Sequence, residues 1–158
     1  MPNIEDIKEF LAARDIEVWE FSDPTPTSID AARTVGCGVA EIAKTILMIV
    51  NGSPVTVVTC GDMKVNTSKL KKRTGMTGKA RLPGQEEVLQ FSGYRPGGVC
   101  PFLLPPELPV LLDSSLRRFR KVYAAAGNDH SAVPITFDQL LELTGGQEAD
   151  VCMPLAEY

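Results

Sequence analysis

The sequence predicts a single α+β domain, a mixed α/β arrangement in which a mixed sheet is flanked by helices. Three observations carry this. Helical and strand patterns are interspersed along 158 residues, a length whose prior is about one domain. Two apolar runs, residues 46–50 and 55–60, are separated by Asn51-Gly52-Ser53-Pro54, a hairpin signal that calls for an antiparallel pair. Nothing resembles GxGxxG or a P-loop, so a doubly wound nucleotide-binding sheet is not indicated.

Taken in order, Asn3 is placed to cap a first helix whose apolar positions Ile4, Ile7, Phe10 and Leu11 recur with the helical period. Val18, Trp19 and Phe21 read as a short strand. Thr27 or Ser28 caps a second helix through Ile29, Ala31, Ala32 and Val35, closed by Gly36. After the hairpin, Asn66 caps a third helix over 67–74 that ends at Gly75, and residues 86–91 read as a further helix. A Gly/Pro-rich stretch precedes strands at 110–112, 121–125 and 133–135. Thr136 then caps a last helix, 137–143, terminated by Gly145-Gly146.

Composition narrows the function classes. Apolar residues are 44% and charged ones 23%, ordinary for a globular chain. A chain of this length buries roughly two-thirds of its unfolded surface and needs no metal or disulfide to fold. Cys37, Cys60, Cys100 and Cys152 form no CxxC pair and the single histidine is His130, so neither a metal nor a cofactor is expected. The N-terminus is acidic and amphipathic, unlike a signal peptide, and no apolar run approaches the ~20 residues that span a bilayer. A cytoplasmic chain with reduced thiols and no membrane partner is the expectation.

The charge is −4 overall but segregated. Residues 63–85 contain no acid, while Lys64, Lys69, Lys71, Lys72, Arg73, Lys79 and Arg81 fall there. Arg117, Arg118, Arg120 and Lys121 form a second cluster. Beyond it no Lys or Arg remains, and Asp129, Asp138, Glu142, Glu148, Asp150 and Glu157 accumulate. Such separation suggests a basic face for a polyanion; a solvated helix face is the plainer alternative.

Four features could carry chemistry. Lys44 lies where the chain enters an apolar strand, its ammonium either snorkelling to water or held at a pocket mouth as a point charge for a carbonyl or phosphate. Gly97 and Gly98, bracketed by Pro96 and Pro101 with Val99 and Cys100 between, form a loop able to turn backbone N–H groups toward a ligand. His130, shortly after Gly127, sits at a loop position typical of binding residues, and with Cys100 it could make a nucleophile–base pair. Asp62 ends the second hairpin strand, where turn formation and helix capping are its ordinary roles.

These residues resemble the YbaK/prolyl-tRNA-synthetase-associated family of aminoacyl-tRNA deacylases, editing domains found free-standing and inserted in synthetases. The marks stand in order as Ala43-Lys44-Thr45, then Gly61-Asp62-Met63-Lys64-Val65-Asn66 with Lys69-Leu70. The GxxxP loop from Gly97 to Pro101 follows, and last the Ala126-Gly127 turn with His130. The resemblance implies a barrel-like mixed sheet over residues 1–158 and hydrolysis of mischarged aminoacyl-tRNA carrying a small amino acid. It implies Lys44 as the catalytic residue, with Thr45, Asp62, Gly97, Gly98, Val99, Cys100, Pro101, Gly127 and His130 around the substrate. Lys64, Lys69, Lys71, Lys72 and Arg73 would hold the tRNA backbone. The implied partner is the acceptor end of aminoacyl-tRNA, with a synthetase or elongation factor as a further candidate. Cys100 departs from relatives that carry Ser or another small polar residue there. A non-catalytic adaptor and a Cys100/His130 thiol hydrolase are the competing expectations.

Overall fold

Helices begin in this chain where a side chain can take up an orphan backbone N–H. In the computed structural model, which describes residues 2–155 and so leaves Glu157 outside the described residues, four caps do this. Asn3 accepts from Asp6 at 3.0 Å to start α1 (Ile4–Ala12), and Thr27 from Asp30 at 3.1 Å to start α2 (Ser28–Val35). Asn66 and Thr136 accept from Lys69 and Gln139 to start α3 (Thr67–Thr74) and α5 (Phe137–Thr144). The fourth helix, α4 (Gln85–Ser92), starts at Gly84, whose N–H is taken by Glu87.

The strands are β1 (Trp19–Glu20), β2 (Ile42–Val50), β3 (Ser53–Cys60), β4 (Met63–Val65) and β5 (Ala80–Arg81) in the first half. The second half holds β6 (Val110–Asp113), β7 (Val122–Ala124), β8 (Ser131–Ile135), β9 (Gln147–Ala149) and β10 (Cys152–Pro154). The predicted hairpin is present but its turn is tighter. Asn51 and Gly52 both take positive φ, 50° and 83°, the demand of a two-residue primed turn, so Ser53 and Pro54 join β3.

The main sheet runs β1-β8-β7-β2-β3-β6-β9 and is mixed, as predicted. The β1–β8, β8–β7 and β2–β3 ladders are antiparallel; β7–β2, β3–β6 and β6–β9 are parallel. A separate ribbon pairs β4 with β10. Successive strand residues face opposite ways, and two cores result. Val58, Leu112, Val133 and Ile135 pack with Ile7 and Leu11 of α1 and Phe137 and Leu140 of α5. Val57, Val55, Met48 and Val50 pack with Leu70 of α3. Each such buried side chain contributes about 1.5–3 kcal/mol.

One irregularity positions the site. β3 pairs with β2 along its whole length, but on the other edge the ladder to β7 ends at Ala43 opposite Ala124. The ladder to β5 begins only at Ile49 opposite Arg81. Between them, among the described residues, residues 44–48 have no strand on that edge.

Candidate active site

A cleft of about 290 Å³ opens at this interruption. Lys44 and Thr45 line it from β2, Thr27 and Ser28 from the start of α2, Gly97 and Val99 from the glycine loop, and Tyr123 from β7. Among the described residues, no Asp or Glu lines it.

Lys44 is half-buried, and its Nζ donates to the Gly61 carbonyl at 3.4 Å. Burial is the main influence on the amine and lowers its pKa from the usual 10.5; Cys152, Asp62 and Cys60 act the other way. The side chain is therefore held by a backbone oxygen at the end of the neighbouring strand, with its carbon stem in the cleft wall. Thr45, beside it, has a buried hydroxyl with no hydrogen-bond partner among the described residues.

The start of α2 adds a second electropositive element. Thr27 takes the Asp30 N–H, and in any α-helix the first N–H groups have no intrahelical acceptor. These groups and the positive end of the helix dipole lie where Thr27 and Ser28 line the cleft.

The glycine loop contributes backbone through a defined turn. Gly98 donates to the Arg95 carbonyl at 3.0 Å, Pro96 stands second in the turn, and Gly97 third with φ 88°. That is the type II pattern, in which the third residue must take positive φ and glycine does so without cost. Among the described residues no acceptor is paired with the N–H of Gly97 or Val99. Gly98 faces away from the cleft: a Cβ there would stand 3.0 Å from Asn128 Cα and the Gly127 oxygen, so glycine lets the two loops touch.

Other implied substrate residues are placed elsewhere. Cys100 is fully buried in the first core, its sulfur 3.7 Å from the Phe102 carbonyl, which also accepts from Tyr94. Burial pushes its thiol up to about 12. Pro101 is buried beside it, and Gly127 packs on Ile7 and Tyr94. His130 donates its N–H to Asn128 Oδ1 at 3.1 Å, and its ring Nδ1 is 3.2 Å from Asp129. The structure does not bring His130 and Cys100 together, so the thiol-hydrolase expectation lacks its geometry. Cys100, Pro101, Gly98, Gly127 and His130 build the loops behind the cleft; Lys44, Thr45, Gly97 and Val99 line it.

Asp62 neither caps α3, which Asn66 does, nor lines the cleft. Its carboxylate takes two bonds from Arg118, at 2.6 and 3.0 Å, and that guanidinium holds its pKa below the usual carboxylate value. Asp62 is thus the neighbouring anion of Lys44 and is itself engaged by a cation. Sequence reasoning had Arg118 only as one member of a basic cluster. It missed Tyr123 and the cleft-facing end of α2, for which the cap at Thr27 was the one available signal.

The basic segment is partly tied to the body. Lys69 pairs with Asp150 at 3.0 Å, while Lys71 and Arg73 bond neutral groups, the Gly78 carbonyl and Gln147. Lys64 and Lys72 are exposed, with no partner among the described residues. Of the five, only Lys69 is matched by an acid, so most of the positive charge stays available. No helix among the described residues is long and apolar enough to cross a membrane.

Comparison with known proteins points the same way. A family model described as the aminoacyl-tRNA editing domain matches residues 22–143. The chain is 37% identical over 141 residues to the uncharacterized protein YwhH of Bacillus subtilis (strain 168), covering 88% of each. It is 30% identical over 121 residues to the proline–tRNA ligase of Aquifex aeolicus (strain VF5), a match spanning 72% of this chain and 21% of that enzyme. Among solved structures, a proposed trans-editing enzyme for prolyl-tRNA synthetase superimposes with a TM-score of 0.85 at 29% identity, covering 97% of this chain and 98% of that one. A hypothetical protein gives 0.84 at 32% identity, covering 93% and 99%.

Proposed function

Because the chain belongs to the aminoacyl-tRNA editing domain family, we propose that it is an aminoacyl-tRNA deacylase acting in trans. On this reading the 158 residues work as one unit that hydrolyses the ester joining a wrongly attached small amino acid to the terminal ribose of tRNA. The observation that carries the reading is the Lys44 ammonium in a cleft that no carboxylate of the described residues lines, beside the positive end of α2.

The ester is already activated, so the protein needs to stabilise charge and place water rather than generate a strong nucleophile. Water adds to the carbonyl carbon, and the negative charge that develops on the carbonyl oxygen is met by Lys44, the α2 N-terminus and the free amides of Gly97 and Val99. The ester C–O bond then breaks, the ribose oxygen leaves with a proton, and the amino acid departs as a carboxylate. The ribose hydroxyl next to the ester relays the proton, accepting one from the attacking water while passing its own to the departing ribose oxygen, and the proton of the carboxylic acid that forms goes to solvent.

Walls of Ala31, Ala43, Ala124, Ala125 and Ala132 suit a small aminoacyl group. One methylene in such a pocket is worth only about 1–3 kcal/mol of discrimination, so exclusion of larger residues rests on wall contact. The unpaired cations Lys64 and Lys72 with Lys71 and Arg73 lie on the tRNA backbone, in the cytoplasm, where a synthetase or elongation factor delivers the charged tRNA. The test is a deacylation screen over tRNAs charged with Ala, Ser, Thr and Cys, with Lys44→Ala beside the parent. Hydrolysis of at least one substrate that disappears in a folded Lys44→Ala supports the reading; turnover near the parent level in that variant overturns it.

A further inference from the structure

Trp19, the only tryptophan of the chain, stands on β1 with 36% of its surface exposed, while its neighbour Val18 packs against the first core. Residues opposite one another in a ladder share a face, and the registers connect Trp19 to the cleft. Trp19 lies opposite Ala132; Pro134, two residues on, lies opposite Tyr123; and Tyr123 lies opposite Ile42, two residues before Lys44. Trp19, Tyr123 and Lys44 are thus on one face of the sheet. The small Ala132 side chain leaves the indole free to lean across it, and its ring centroid is 5.8 Å from that of Tyr123, tilted by 38°. Tyr123 is itself a wall of the cleft.

An indole this exposed on a two-residue edge strand, packed against a wall residue of the cleft, offers an aromatic face at the cleft's margin. We propose that Trp19 and Tyr123 form a stacking platform for an unpaired nucleobase of the tRNA acceptor end, a site that rests on the deacylase reading and extends it. Unpaired bases stack on aromatic side chains whatever their sequence, because every base has a π face. The surrounding charge favours a base over a phosphate here. Glu17 accepts from the indole N–H at 3.3 Å and steadies the ring, and Glu20 is neutralised by Lys8. The phosphates are left to the cations on the far side of Lys44.

The single tryptophan is its own probe. The trinucleotide CCA should quench Trp19 fluorescence saturably, and an abasic sugar-phosphate trimer of equal charge should not. In steady-state deacylation of aminoacyl-tRNA, Trp19→Ala should raise KM about tenfold with kcat unchanged, and Trp19→Phe should restore it, since a phenyl ring still stacks. Lys44→Ala should keep the quenching while losing hydrolysis, which separates this site from the chemistry. Absence of saturable quenching by CCA, equal quenching by the abasic trimer, or a loss in kcat rather than KM in Trp19→Ala would overturn the platform. Quenching in a protein that hydrolyses no charged tRNA would uphold it and sink the deacylase reading instead.

Discussion

Cys100 separates a backbone-loop mechanism from thiol chemistry, and the structure gives the size of the effect. Burial pushes its thiol up to about 12 from 9.0, so at pH 7 the thiolate fraction is on the order of 1 in 100,000, against about 1 in 100 for a thiol at the unshifted value. A nucleophile in that state is disabled, and the sulfur is sealed from solvent as well. Cys100→Ser places a hydroxyl in the first core, where Phe102 O already accepts from Tyr94, and should cost about 1–3 kcal/mol of stability. Cys100→Ala leaves a small void worth roughly 1–2 kcal/mol. Both should deacylate at the parent rate below their unfolding temperatures, and iodoacetamide should leave the native enzyme active. The thiol also predicts a pH effect on stability. Its folded pKa lies above its unfolded value of 9.0, so its contribution is whole below pH 9 and is lost as pH rises toward 12. Cys100→Ala should flatten that part of the alkaline slope, leaving what Cys37, Cys60, Cys152 and Tyr94, all raised by burial, contribute. Denaturant titration and single-turnover deacylation on the same preparations provide the check. A folded Cys100→Ser enzyme slowed by orders of magnitude would refute the reasoning and restore the thiol hydrolase.

Lys44 should give deacylation an alkaline limb that falls below the 10.5 of an ordinary lysine, because burial disfavours the ammonium. Asp62→Asn removes a carboxylate that supports the ammonium and should move the limb to lower pH; a limb that stays put, after correction for spontaneous hydrolysis, would detach the lysine from the profile. A Cβ in Gly97→Ala would make only ordinary van der Waals contacts, with Pro26 at 3.7 Å and Asp129 at 3.9 Å, so its cost is the backbone at φ 88°, about 1–2 kcal/mol. The fold should persist while kcat drops, and an unchanged kcat would show that the loop amides do not engage the substrate. Neutralising Lys64, Lys71 and Lys72 should flatten the salt dependence of tRNA binding, whereas Lys69→Gln, whose charge Asp150 already matches, should change it least. Equal slopes in all of these variants would reduce the basic segment to a solvated surface.

The helices were legible because their signals are local. Caps at Asn3, Thr27, Asn66 and Thr136 and left-handed closures at Gly36, Gly75 and Gly145 depend on residues within four positions of one another. The strands that went unread are two or three residues long. Met63-Lys64-Val65 and Gln147-Glu148-Ala149 are too short to show a useful period, and what makes them strands is a partner 91 and 36 residues away, Pro154 opposite Met63 and Leu111 opposite Gln147, not a property of the segment. The first strand was expected at Val18, Trp19 and Phe21 and is confined to Trp19–Glu20, after which Phe21 still donates to His130 O at 2.8 Å.

The candidate site divides along the same line. Lys44 could be found because a cation in an apolar run is visible in one dimension; whether it snorkels or holds a pocket depends on where β7 stops and β5 starts. Had β7 continued past Ala124, a strand would occupy the edge at 44–48 and the lysine would flank a sealed sheet. The glycine loop shows the complementary case. Pro96, Gly97 and Gly98 announce a turn, but only its type decides which amides remain unspent. In the type II turn the Gly98 amide is consumed by Arg95, the next residues lead Cys100 and Pro101 into the core, and Gly97 and Val99 are left at the cleft. A five-residue motif therefore contributes two residues to the cleft wall and three to the support behind it. Substitutions in the supporting residues should be felt first as lost stability, and those in the wall first as lost rate.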